Sequence, residues 1–98
     1  MTQSKAKKVI LENDPNFKLK NDWAQRFKNL IGKRIVGVRY LTEEETEASG
    51  WYSSPIVIEL SDGSALIPQS DDEGNDGGAL WIANSKGQED LAPVIRGL

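Results

Sequence analysis

The segment "PIVIELSDGSALIP", residues 55–68, decides the fold, because it contains the strongest hairpin signal in the chain. Asp62 and Gly63 form the kind of pair that a two-residue turn with positive φ requires. Pro55 and Pro68 stand at the two ends of the segment, where a strand tolerates a missing amide. We therefore predict two antiparallel strands joined by a two-residue turn.

This turn also predicts which residues of the hairpin face the core. A two-residue loop places Leu60 opposite Ala65, and the pairs farther from the turn follow in step. One face of the hairpin then collects five aliphatic residues: Ile56, Ile58, Leu60, Ala65 and Ile67. The other face carries Val57, Glu59 and Leu66, so the first face is the predicted core.

A helix is predicted before the hairpin, in "NDWAQRFKNLIGK", residues 21–33. Asp22 followed by Gln25 has the spacing of a capping box, and Gly32 supplies a left-handed stop. Four apolar residues fall at i, i+4, i+7 and i+8, which is one helical face, and we expect them to anchor the helix in the core. They are Trp23, Phe27, Leu30 and Ile31.

Two elements lie between this helix and the hairpin. β-Branched residues alternate in residues 33–41, which indicates a strand. Residues 42–50, "TEEETEASG", predict a short exposed helix, with Thr42 and Glu45 as its capping box and Gly50 at its end. After the hairpin, residues 78–84 predict one further strand, and residues 91–95 predict either a last short strand or a packed tail.

This order of elements predicts an α+β domain, with a small antiparallel sheet of about four strands, one main N-terminal helix and a short second helix. A partly closed SH3-like barrel is the alternative. Residues 1–20 are predicted to be a flexible basic arm, since Pro15 interrupts any regular element there. Residues 21–98 are predicted to form the single α+β domain.

The composition argues against catalysis. The chain has no Cys and no His, so thiol nucleophiles, disulfides and the commonest general base are excluded. We predict no enzyme and no cofactor. There is also no apolar run of about 18 residues, so we expect no membrane span and a cytoplasmic location.

Charge is divided unevenly along the chain. Residues 1–41 hold ten Lys and Arg against three acids, whereas residues 42–98 hold two Lys and Arg against twelve acids. A basic arm could meet an anionic partner, so nucleic-acid binding through the arm is a third hypothesis for function. The acidic remainder would repel phosphate, and a nucleic-acid partner is therefore not favoured.

The loop "IPQSDDEGND", residues 67–76, concentrates four acids before two further glycines. EF-hand spacing fails from either starting Asp, because position twelve holds Ile82 or Ala83 in place of Glu. A looser divalent-cation site is the alternative function, with four candidate ligands: Asp71, Asp72, Glu73 and Asp76. Turn formation explains the composition equally well, although the loop is longer than a hairpin needs.

Residues 50–81, "GWYSSPIVIELSDGSALIPQSDDEGNDGGALW", resemble a family of small bacterial proteins of unknown function. The shared pattern combines Gly-Trp, a strand led by Pro, a Leu-x-Asp-Gly turn and a Pro-x-x-Asp-Asp-Glu-Gly-Asn loop before Gly-Ala-Leu. The resemblance covers about residues 31–82 and leaves the basic arm outside. It implies kinship, and it brings no reaction, cofactor or partner.

We predict that the protein acts by binding, as a protein–protein interaction or regulatory module. The partner would be another protein or a second copy of the chain in a homodimer. Aromatic residues at a loop beside acids form hot spots at interfaces, although large aromatics more often belong to a core. The predicted surface is Trp51, Tyr52, Asp71, Asp72, Glu73, Asn75 and Asp76.

Overall fold

The computed structural model describes residues 13–96 of the chain. They fall into two compact units that meet in the sequence between Lys33 and Arg34. Residues 1–12, which make up most of the predicted basic arm, lie outside the described residues.

The first unit contains helix α1 (Phe17–Arg26) and a single 3₁₀ turn (Lys28–Leu30). The helix starts earlier than its sequence pattern predicts, inside the range assigned to the arm. The prediction that Asp22 caps it is wrong, because Asp22 lies within α1 and pairs with Lys18 at 2.9 Å. The chain instead turns at Asp14, whose carboxylate accepts the amide of Asn16 at 2.8 Å and pairs with Lys20 at 2.6 Å.

The apolar face of α1 is exposed, which contradicts its predicted role as a core anchor. No residue of the helix is buried, and Trp23 and Phe27 are 51% and 54% exposed. Their rings stack on each other at 6.5 Å, and the Arg26 guanidinium lies 4.7 Å from the centre of the Trp23 ring. Leu30 and Ile31 are exposed as well. Periodicity identifies residues that share a face, but it does not say what covers that face.

The second unit contains one short helix and seven short strands. They are β1 (Ile35–Tyr40), α2 (Glu43–Ala48), β2 (Ser53–Ser54), β3 (Ile56–Leu60), β4 (Ala65–Leu66), β5 (Leu80–Ala83), β6 (Glu89–Ala92) and β7 (Ile95–Arg96). All pairs are antiparallel, in three sheets ordered β1-β3-β4, β2-β7 and β5-β6. The α+β prediction is confirmed, with more strands than expected and no closed barrel among residues 13–96.

The hairpin forms where the sequence predicts it, but its register differs by one residue. Ile58 pairs with Leu66, and the amide of Leu60 donates to the carbonyl of Ser64 at 2.9 Å. The loop therefore has three residues, and the last of them, Gly63, has φ +90°. A left-handed third residue is the usual end of such a loop, and an Asp-Gly pair suits it as well as it suits a two-residue turn.

The buried residues of the hairpin also differ from the predicted ones. Val57, predicted on the outer face, is only 1% exposed, whereas Ala65 and Ile67, predicted inside, are exposed. Ile56 and Leu60 are buried as predicted. Since neighbouring residues of a strand point to opposite faces, the burial of both Ile56 and Val57 shows that β3 is covered on both sides where it begins.

The short helix α2 begins as predicted. Thr42 Oγ1 accepts the amide of Glu45 at 3.1 Å, and Glu45 Oε1 accepts the amide of Thr42 at 2.9 Å, which completes the capping box. Gly50 follows the helix with φ +76°. At the other end of the unit, the alternatives for residues 91–95 are resolved by strands β6 and β7, of which β7 pairs with β2.

Candidate functional site

The structure brings Trp51 and Tyr52 to the acidic loop, as predicted from the sequence. Both residues connect α2 to β2. The amide of Trp51 donates to the carbonyl of Thr46 at 3.0 Å, and its indole Nε1 donates to the carbonyl of Gly74 at 2.8 Å. The Trp51 ring is partly buried by these contacts, while the neighbouring Tyr52 is 83% exposed.

Asp76 fixes the backbone beneath the Tyr52 side chain. Its Oδ1 accepts three backbone amides, from Tyr52 at 3.1 Å, Ser53 at 2.9 Å and Gly77 at 2.8 Å. Burial by itself would raise the pKa of Asp76, but these amides together lower it below its ordinary value. The role of Asp76 is therefore to hold the loop against β2.

Two glycines allow the loop to approach so closely. A Cβ on Gly77 would lie 2.5 Å from the carbonyl oxygen of Ser53 and 2.6 Å from Cδ of Pro55. A Cβ on Gly78 would lie 2.6 Å from the carbonyl oxygen of Gln69. Both positions need Gly because backbone or a proline ring occupies the space of a side chain.

Asp71 organises the tip of the same loop. Its Oδ1 accepts the amides of Glu73 at 3.0 Å and Asn75 at 3.2 Å, and its Oδ2 accepts the Asn75 side-chain amide at 2.8 Å. The Asn75 side chain is the main reason why the pKa of Asp71 lies below its ordinary value. All of these partners lie within four residues, so Asp71 builds a local turn.

The structure gives the cation hypothesis no coordinating cluster. Asp71 and Asp76 already accept backbone amides, and Asp72 and Glu73 are exposed on the loop. Among residues 13–96, no three or more His, Cys, Asp or Glu side chains are grouped so that they could hold a metal ion. Hydrogen bonds join Trp51 and Tyr52 to the loop and Asp71 to Asn75, whereas the side chains of Asp72 and Glu73 extend into solvent.

An open cleft of about 420 Å³ lies beside Trp51 and Tyr52. Its lining comes from α2, from the segment that leads to β2 and from β2 itself: Glu43, Thr46, Glu47, Gly50, Trp51, Tyr52 and Ser54. Glu43, Thr46 and Glu47 share one side of α2 because helical residues three and four apart are neighbours. The sequence predicts α2 only as a short exposed helix, although the spacing of these glutamates beside Trp51 is the signal that indicates the cleft.

The floor of the cleft is held by buried hydroxyl groups. Thr46 Oγ1 lies 2.7 Å from Ser54 Oγ, and it donates to the carbonyl of Thr42 at 2.9 Å. Thr46 and Ser54 are both buried. These contacts join α2 to β2, so the two sides of the cleft have fixed positions.

The acids of α2 differ in their partners. Glu45 binds Arg39 through both oxygens, at 2.8 Å and 3.1 Å, and this contact together with the Thr42 amide lowers the pKa of Glu45 to about 2. Arg39 also approaches Glu59, at 3.8 Å. Glu43 and Glu47 form no ion pair within the described part of the chain. The cleft therefore combines uncompensated negative charge with aromatic surface.

Comparison with protein-family models, with curated proteins and with solved structures yields no match to this chain. No helix in the part of the chain that the structure describes is long and apolar enough to cross a membrane.

Proposed function

We propose that this protein is a small protein–protein interaction module. Its contact surface is the Tyr52 surface, which we define as Trp51, Tyr52 and the loop of residues 71–76. The observation that carries the proposal is the 83% exposure of Tyr52 above a backbone that Asp76 holds in place. Tyr and Trp are enriched among the few residues that carry most of the binding energy at protein interfaces.

The rigidity of the Tyr52 surface supports binding further. Trp51 is tied to Gly74 and Tyr52 to Asp76, so the aromatic pair and the loop are ordered before any partner arrives. A preorganised surface loses little conformational entropy on association. Since the chain has no His and no Cys, recognition suits its side chains better than catalysis does.

We propose that the module works in the cytoplasm, on another protein or on a second copy of itself. The sequence pattern of residues 31–82 supports kinship with small bacterial proteins of unknown function. Neither a cofactor nor a nucleic acid is part of the proposed role.

Affinity capture from a lysate of the source organism tests the proposal, with wild-type protein beside Tyr52→Ala. We expect a near-stoichiometric partner, or a dimer in size-exclusion chromatography, that Tyr52→Ala loses. Trp81→Ala is the matched control, because Trp81 is 62% exposed but does not line the cleft. The Trp81→Ala variant should keep the partner. Capture that Tyr52→Ala leaves unchanged would contradict the proposed surface.

A further inference from the structure

The cleft beside Tyr52 has a chemistry that selects its ligand. The choice of ligand rests on the proposed function, since the cleft adjoins the Tyr52 surface, and it goes further by naming the group that is bound. Its rim holds two carboxylates, Glu43 and Glu47, and two aromatic side chains, Trp51 and Tyr52. Each pair attracts the same kind of ligand for a different physical reason.

The carboxylates attract a cation. Glu43 and Glu47 are four residues apart on α2, so they lie on one side of the helix. Both are exposed, and neither has an ion-pair partner in the described residues, whereas Glu45 between them is neutralised by Arg39. Two neighbouring negative charges at a cleft raise the local concentration of cationic groups.

The aromatic rings favour an organic cation. The face of a Trp or Tyr ring attracts the ammonium of Lys and the guanidinium of Arg, and it also packs against their aliphatic stems. A bare metal ion would gain nothing from such a stem contact. The cleft, at about 420 Å³, lies within the size range of sites that enclose small organic groups.

We propose that this cleft binds a lysine or arginine side chain from a basic segment of a partner protein. The aliphatic stem packs on Trp51 and Tyr52, and the charged end lies between Glu43 and Glu47. Charge complementarity identifies the occupant, because an acidic or phosphate-bearing partner is repelled by both carboxylates.

The test uses the full ¹⁵N-labelled chain and three capped peptides, Gly-Ser-X-Ser-Gly, with X as Arg, Lys or Gln. We expect the Arg and Lys peptides to shift the Trp51 indole resonance and the Tyr52 amide resonance in a saturable way. Added salt should weaken this binding, since the carboxylates are exposed to solvent. Equal shifts with the Gln peptide would overturn the proposal, and so would shifts at these positions from calcium chloride alone.

The double variant E43Q/E47Q measures the part played by charge. We expect it to bind the Arg peptide about fivefold more weakly, because it loses two exposed ion pairs. E44Q/E89Q removes the same charge from residues that do not line the cleft, and it should bind like the wild type. Equal affinities for the two double variants would overturn the proposal.

Captured partners separate this inference from the proposed function. A partner that Tyr52→Ala loses but E43Q/E47Q keeps would overturn the proposal that the cleft binds a basic side chain. The proposed interaction module would stand. A partner that neither variant loses would overturn both. Self-association that disappears in E43Q/E47Q would assign the cleft to a second copy of the chain and overturn its assignment to another protein.

Discussion

Helix α2 and the loop of residues 71–76 are the two most acidic regions of the described chain, and they use their acids differently. In α2, Glu45 is engaged by Thr42 and Arg39, while Glu43 and Glu47 remain free beside the cleft. In the loop, Asp71 and Asp76 have hydrogen-bond partners, and both accept backbone amides. Acidic composition is therefore a poor guide to which carboxylates are available to a ligand.

The loop itself contains a second contrast, between Asp71 and Asp76. The partners of Asp71 lie within four residues, whereas Asp76 accepts amides from Tyr52 and Ser53, 24 and 23 residues earlier in the chain. Asp71 thus shapes only its own turn. Asp76 connects the loop to the surface on which the proposed function depends.

The largest expected effect comes from Gly77→Ala, which separates the loop from β2. The added Cβ would meet the Ser53 carbonyl and the Pro55 ring, neither of which can rotate away. Overpacking of this kind destabilises by about 1–3 kcal/mol, which urea unfolding would measure. Gly63→Asn is the control, since Gly63 has open space and Asn tolerates positive φ. Equal stability of Gly77→Ala and wild type would contradict the close approach.

Asp76→Ala should have the next largest effect and sharpens the contrast within the loop. We expect it to lower the melting temperature more than Asp71→Ala, because three amides that span two segments lose their acceptor. It should also shift the Tyr52 amide resonance, which Asp71→Ala should leave in place. Asp76→Asn keeps one side-chain oxygen, so its melting temperature should lie between those of Asp76→Ala and Asp71→Ala. Identical melting and spectra for Asp76→Ala and Asp71→Ala would refute the distinction.

The smallest effect is expected from acid titration of Glu45. Its pKa is lowered from the ordinary value of 4.5 to about 2 by Arg39 and the Thr42 amide. An unfolded chain binds this proton at higher pH than the folded chain, so the contribution of Glu45 to stability is complete above pH 4.5 and is lost as the pH falls toward 2. The melting temperature of Glu45→Gln should fall less steeply than that of the wild type as the pH is lowered across this range. Parallel curves would show that the Arg39 contact adds no stability.

Three local patterns predicted local structure correctly, whereas the Asp22–Gln25 capping box did not form. The capping box of Thr42 and Glu45, the strand of residues 35–40 and the hairpin all form, because each depends on partners close in sequence or on a strong alternation. The hairpin register was predicted wrongly by one residue, since the Asp-Gly pair is compatible with two loop lengths. The exposed face of α1 was missed because the periodicity of a helix contains no information about its neighbours.

The candidate site was predicted only in part. Trp51, Tyr52 and the acidic loop were expected together, and hydrogen bonds from Trp51 to Gly74 and from Tyr52 to Asp76 do join them. The cleft was not expected, because it forms where α2 lies against β2 through the Thr46–Ser54 contact. That contact depends on chain packing which no local pattern encodes.

The sequence alone determined the α+β class, the start of α2 and the absence of His and Cys, since composition, caps and alternation are properties of neighbouring residues. Tertiary structure decided which carboxylates are engaged and which are free. It did so because hydrogen bonds such as those of Asp76 join segments 24 residues apart, and their pairing depends on how the chain packs. Glu43 and Glu47 therefore face a cleft, while Glu45, two residues from each of them along α2, binds Arg39.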